Sequence, residues 1–221
     1  LEIVNGVKIH RIKSFNTRYL FSFTAIPKVV QLAKGADLIQ TTTFNGAPPA
    51  WLGAKITQKP VVITILEVWI NKWHQVTDFN KFTCFIHNCL EKAIYTLKFD
   101  KYICISNSTK RDLMKIKIPE EKTTIIYPGV DYSFWDPKKY DREKTRKNIG
   151  IENKFVYFSW GRPGVSKGFE YVIQAVPEVT KRIPNALFLL MLGSKEKYQK
   201  RYNYLMQLIK KLNISNQVKI I

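Results

Sequence analysis

The segment FVYFSWGRPGVSKG, residues 155–168, holds the residue types best suited to chemistry. Arg162 and Lys167 stand on either side of Pro163-Gly164, in a loop that also carries Gly161 and Gly168. A guanidinium can fork onto two oxygens at once, and an ammonium acts as a point charge. Two cations on one loop suit an anion with several oxygens. The bland counterpart is a solvated basic loop. With 36 Lys and Arg in 221 residues, the spacing is more informative than the residue types.

The flanking elements would aim those charges. Phe155, Val156, Tyr157 and Phe158 form an apolar run of strand-like residue types. Gly161-Arg162-Pro163-Gly164 reads as a turn. Phe169, Val172, Ile173, Val176, Val179 and Ile183 then recur at helical steps. The segment is therefore strand, loop, helix, and in an open α/β sheet such a loop lies at the carboxyl end of its strand, where ligands bind. Ser166 reads as the helix N-cap and Lys167 as a residue of the first turn. The helix dipole disfavours a cation there unless an anion shares the position. Gly168 would let the backbone come close to what is held.

GRPGVSKG with the downstream FEYVIQA resembles the donor-site loop of retaining glycosyltransferases of family 4, which have the two-domain GT-B fold. That loop reads Gly-Arg, four variable residues, then Lys-Gly. ISNSTKRDL, IPEEKTTIIYPGVD and FWDP are similar to the family's final N-domain helix and interdomain linker. The resemblance implies two Rossmann-like α/β domains with a nucleotide-diphosphate sugar between them. Arg162, Lys167 and Gly168 would hold its phosphates. The implied reaction is hexosyl transfer to a hydroxyl of a glycan or lipid-linked acceptor, with retention and with neither metal nor cofactor; no Asp-x-Asp occurs in the chain.

VVITILEVW resembles the family's strand that ends in a histidine and then Asp or Glu, facing the donor sugar. Leu66 occupies the histidine position, so that role does not carry over, and a leucine neither hydrogen-bonds a hydroxyl nor steadies a developing charge. Glu67 and Trp69 are candidates for acceptor contact, against a solvated strand-end carboxylate and an aromatic core plug. Gly193 and Gly161 are further candidates for donor contact. In LGSKEKY, Lys195 stands where the family often has a second glycine. The family's glycine-rich first loop would precede Leu1, and its paired glutamates for sugar and ribose would follow Ile221.

Composition bounds these readings. Hydrophobic residues make up 45% and aromatics 13%, enough for a core, which excludes a disordered chain. The formal charge of +19 divides evenly, +9 over Leu1–Val130 and +10 beyond. A generally basic surface suits phosphates, an anionic membrane face or nucleic acid. Three cysteines, Cys84, Cys89 and Cys104, argue against a disulfide framework and for a reducing, cytoplasmic location. Charge suggests a peripheral position on the inner membrane face and a role in cell-envelope glycans. CFIHNC brings Cys84, His87 and Cys89 close in sequence, but a metal needs about four ligands and no partner cluster exists; His74 reads as a surface histidine.

Two domains are expected, residues 1–130 on the acceptor side and 131–221 on the donor side. Both read as partial, because the chain opens at Leu1 without a methionine and stops within an apparent strand, Val218–Ile221; alone it should be inactive. In the first domain, strands are expected at Val7–Ile12, Ala36–Thr41 (buried), Val61–Leu66 (covered on both faces), Tyr102–Ile105 and Thr123–Tyr127. Tyr19–Ala33 should be helical with a break at Pro27. Pro48 and Pro49 should open a short helix, and Ser106 or Ser108 should cap another. Phe79–Lys98 is the clearest helix, its apolar stripe formed by Phe82, Phe85, Ile86, Cys89, Leu90, Ala93, Ile94 and Leu97. The second domain adds a strand at Ala186–Leu192 and a helix at Lys197–Leu212. Strands alternating with helices imply parallel sheets. The rival reading is a non-catalytic α/β module that binds polyanions, nucleic acid or acidic lipid. No RNA-binding motif supports it, and no specific nucleic-acid partner is expected.

Overall fold

The computed structural model describes residues 1–15, 17–193 and 196–221. The chain divides into two compact units, residues 1–73 with 81–129, and 74–80 with 130–221.

The first unit opens with a small antiparallel hairpin, β1 (Glu2–Val4) and β2 (Val7–Ile9), around the turn at Asn5-Gly6. Only its second strand is legible as an alternating run in the sequence. Helices α1 (Arg18–Thr24) and α2 (Ile26–Ala33) follow, separated at Ala25, with Pro27 in the first turn of α2, where a missing N–H costs nothing. The main sheet is parallel, in the order β3 (Ile39–Thr42), β4 (Val61–Ile65), β5 (Lys101–Cys104), β6 (Thr123–Ile125). Between these strands in the sequence run α3 (Ala47–Thr57), the short α4 (Trp73–Val76), which groups with the second unit from His74 on, α5 (Lys81–Thr96) and α6 (Asn107–Lys115), the last capped by the Ser106 hydroxyl. Strands taken in sequential order with right-handed crossovers place their helices on one face. The core accordingly joins Val61, Ile63 and Ile65 to Ala54, Ile94 and Leu113.

Two expectations need correction. Strand β3 is not buried, because Ile39 and Thr41 are half-covered while Gln40 and Thr42 are exposed. Strand β4 is fully covered on one side only; Val62 and Thr64, on the other, are half-buried, and the strand ends at Ile65.

The larger correction concerns α5. Its buried residues are Cys84, His87, Glu91 and Ile94. Most of the apolar stripe read from the sequence faces outward, with Phe82 71% and Phe85 65% exposed and Cys89 exposed as well. The inner face is instead a polar and aromatic network. The Glu91 carboxylate accepts hydrogen bonds from the backbone N–H of Trp69 and the indole Nε1 of Trp73, each at 2.8 Å. His87 Nδ1 donates to the Thr83 carbonyl, which leaves Nε2 to accept from Arg18 and Tyr19 on α1. Trp73 packs on His87 and edge-on to Trp69. These directional bonds orient the helix, and a buried carboxylate facing apolar atoms would be far costlier than exposed phenylalanines.

Beyond residue 130 the second unit carries α7 (Arg142–Asn148), capped by Asp141, in a stretch that reads only as charged in the sequence. Its sheet is parallel, in the order β7 (Phe155–Gly161), β8 (Ala186–Leu192), β9 (Val218–Ile220). Helices α8 (Phe169–Arg182) and α9 (Gln199–Lys211) share one face. Phe169, Ile173, Val176, Leu205 and Ile209 pack there on Phe188, Leu190 and Leu192. On the opposite face Leu187 and Leu189 meet Ile151. Glu170 and Arg201 form an ion pair, largely buried, between α8 and α9.

Burial raises the Glu91 carboxyl above the ordinary carboxylate range, a tendency the Trp69 and Trp73 N–H groups partly oppose and the charge of Glu67 reinforces. A carboxyl raised in the folded state contributes its stability while protonated and loses it as pH rises through the raised value. Urea unfolding at stepped pH should therefore show the stability of wild type relative to Glu91→Gln falling as pH rises from the acidic side toward neutrality, whatever the opposite trend from the lowered Asp112, Glu120 and Asp131. Identical pH slopes in the two proteins would refute it.

Candidate functional site

Strand β7 pairs with β8 over its whole length, from Phe155 opposite Ala186 to Gly161 opposite Leu192. The pairing ends at a link from Gly193 N–H to the Gly161 carbonyl, 3.0 Å. Gly161 and Gly193 are thus joined at the carboxyl ends of neighbouring parallel strands, where a ligand-binding loop belongs. The chain then turns tightly about Pro163, with Gly164 N–H reaching the Arg162 carbonyl at 2.7 Å. A 3₁₀ turn, Val165–Lys167, leads to Gly168.

This corrects the reading of the helix start. Ser166 is not the cap, and Lys167 is not in the first α-helical turn. Both lie in the 3₁₀ turn, and Gly168 occupies the N-cap position of α8 with φ 63° and no side-chain capping bond. The reason for a glycine there is also different. A Cβ at Gly168 would stand 3.2 Å from the Tyr171 ring, in a left-handed backbone that side chains avoid. Gly161 has φ 147°, and the stem of Lys167 crosses it, with Cε 3.6 Å from where a Cβ would sit.

Lys167 lines a concavity of about 300 Å³ with Phe158, Ser159, Trp160 and Phe169. Phe158 and Trp160 stack on each other there, with ring centroids 5.5 Å apart. The loop therefore gathers Gly161, Lys167 and Gly193. Arg162 is exposed on the same loop but is not among the residues lining the concavity. The sequence shows Phe158 at the end of the apolar run Phe155–Phe158 but gives no sign that it stacks on Trp160 at an exposed face of β7. Lys195, at the family's second glycine position, lies outside the described residues.

In the first unit, β4 ends in Ile65, and Leu66 follows it, 49% exposed. Glu67 is exposed beside it. Trp69 is half-buried and engaged with Phe44, Trp73 and Glu91. His74 is exposed. Cys84 and His87 lie on the buried face of α5 and Cys89 on the outer one, and no group of three potential metal ligands occurs among the described residues. No helix among them is long and apolar enough to cross a membrane.

The family model described as Glycosyltransferase Family 4 matches residues 2–134. This chain belongs to that family. The matched stretch comprises the first unit and the start of the segment after it, and it ends before the loop of Arg162 and Lys167. An uncharacterised glycosyltransferase of Methanocaldococcus jannaschii is 31% identical over 102 residues, which are 41% of this chain and 26% of that protein. Among solved structures, Anabaena HepE in complex with UDP and glucose superposes with a TM-score of 0.69 at 23% identity, over 89% of this chain and 50% of that one. A glycosyltransferase from Rickettsia africae gives 0.66 at 20% identity, over 96% and 54%. The chain thus spans about half the length of these structures and about a quarter of the curated relative. The likeness gives the family 4 chain the GT-B fold.

The loop geometry yields a stability prediction. Gly168→Ala should destabilise the protein by about 1–2 kcal/mol, the cost of a side chain in the left-handed region. Urea unfolding checks this, and an unchanged midpoint would contradict the strained position assigned to Gly168.

Proposed function

We propose that this chain binds the diphosphate of a nucleotide sugar on the loop 161–168 and serves transfer of the sugar to a hydroxyl, with retention and without a metal ion. The observation that carries the reading is Lys167 lying across Gly161, at the carboxyl end of β7 and beside the start of α8. The second unit supplies the donor site and the first the acceptor side. The UDP in the HepE complexes supports uridine diphosphate as the nucleotide.

In the transfer, the bond from the anomeric carbon to the diphosphate oxygen breaks. A bond from that carbon to the acceptor oxygen forms, the hydroxyl passes its proton to the departing diphosphate oxygen, and nucleoside diphosphate leaves. The Lys167 ammonium and the Arg162 guanidinium offset the charge gathering on the leaving group, and the N–H groups at the start of α8 add to them. Gly168 N–H donates to the Val165 carbonyl and Tyr171 N–H to the Gly168 carbonyl, so the N–H groups of Phe169 and Glu170 are the ones that would meet an incoming oxygen. Gly161 and Gly193 let the donor approach the strand ends. Glu67 meets the acceptor beyond the end of β4, and Leu66, at the position that faces the donor sugar in the family, offers apolar contact in place of a hydrogen bond. The acceptor is a glycan or lipid-linked carrier at the inner face of a membrane, toward which the net charge of +19 draws the protein.

Replacing Arg162 or Lys167 by Ala should each weaken UDP binding by about 1.5–3 kcal/mol, the worth of a charge-assisted hydrogen bond. Calorimetric titration reads this directly. Wild-type affinity in both variants would remove the phosphate assignment.

A further inference from the structure

We propose that the outer face of α5 is a membrane-docking surface for the headgroup region of an anionic bilayer. The inference rests on the membrane part of the reading above, and its test is independent of the nucleotide site.

Phe82, Phe85, Ile86, Cys89 and Leu90 recur at helical steps and are all exposed. At 3.6 residues per turn they form one continuous band opposite the buried Cys84, His87, Glu91 and Ile94. The hydrophobic core is complete without them, since α5 contributes only its inner face to it. An apolar band this wide, on a helix already fixed by its other side, marks an interaction surface.

The charges around the band say what it meets. Lys81 and Lys92 are exposed and fall on one flank, next to Phe85. Glu91, the sole acidic residue of α5, is turned inward and 1% exposed. The outer face is therefore aromatic and cationic with no negative charge. An interfacial helix has this make-up, with rings seated at the acyl boundary and lysines at anionic headgroups. A second copy of the chain fits less well. A two-fold interface would bring like-charged flanks together, on segments whose net charge is already +9 over Leu1–Val130. The bilayer complements that charge.

The test is co-sedimentation of the whole chain with vesicles of equal parts phosphatidylglycerol and phosphatidylcholine, and with phosphatidylcholine alone. The protein should pellet with the anionic vesicles and remain in solution with the neutral ones. Phe82→Ser with Phe85→Ser should reduce partitioning about ten-fold or more, from the loss of buried apolar area. Lys81→Gln with Lys92→Gln should weaken it and flatten its salt dependence. Both pairs should keep the wild-type thermal transition and UDP affinity, since the substituted side chains lie outside the core and the donor loop. The assignment is overturned if the serine pair partitions like wild type, or if wild type ignores anionic vesicles. It is equally overturned if wild type is a dimer that the serine pair converts to monomer.

Discussion

Gly161 at φ 147° and Gly168 at φ 63° bracket a loop that turns back over the end of β7 and delivers its lysine across the first of the two glycines. Both backbone conformations are strained for any residue with a Cβ. They persist because each side is anchored. On one side, β7 is paired with β8 through seven residues and closed by the Gly193–Gly161 bond. On the other, Phe169, Ile173 and Val176 sink the start of α8 into the core. The cationic loop is thus a short span between two fixed points. That arrangement suits a site that must meet a charged ligand without first paying to order itself.

The first unit solves a different problem by a similar device. The loop after β4 carries Leu66, Glu67 and Trp69 and would be loose on its own. Glu91 reaches across from α5 to hold the Trp69 backbone and the Trp73 ring, and His87 ties the same helix to α1. A buried carboxylate with two N–H donors is directional where an apolar contact is not. It therefore sets both the rotation of α5 and the path of the loop. The outward turn of Phe82 and Phe85 follows from that choice.

Much of this was legible in the sequence, and the failures have physical causes. The strand–loop–helix of residues 155–183 reads plainly because β7 and α8 each have a clean period and the glycines between them admit no alternative. The break near Pro27 and the cap at Ser106 are chemistry of single residues, and they read as such. The period of α5 shows the helix but not its orientation. Periodicity identifies an apolar face and says nothing of whether that face points in or out, and a polar network spanning Arg18 to His87 has no local signature. By residue type Ser166 is the better cap, two residues ahead of the observed one at Gly168. Backbone geometry favoured the residue that tolerates a positive φ. The concavity beside Lys167 could not be read at all, since its stacked Phe158 and Trp160 carry the residue types of a buried strand.

The central claim is that a diphosphate is held at one place by a small fixed set of charges rather than by the diffuse positive field of a chain carrying +19. Salt separates these directly, because a diffuse attraction to exposed charges is screened away as ionic strength rises, while a close two-cation contact is screened much less. UDP titrated into the protein across a range of sodium chloride concentrations should saturate at one equivalent with a shallow logarithmic slope. Binding at several equivalents that collapses steeply with salt would make the chain a general polyanion binder and contradict the donor-site account.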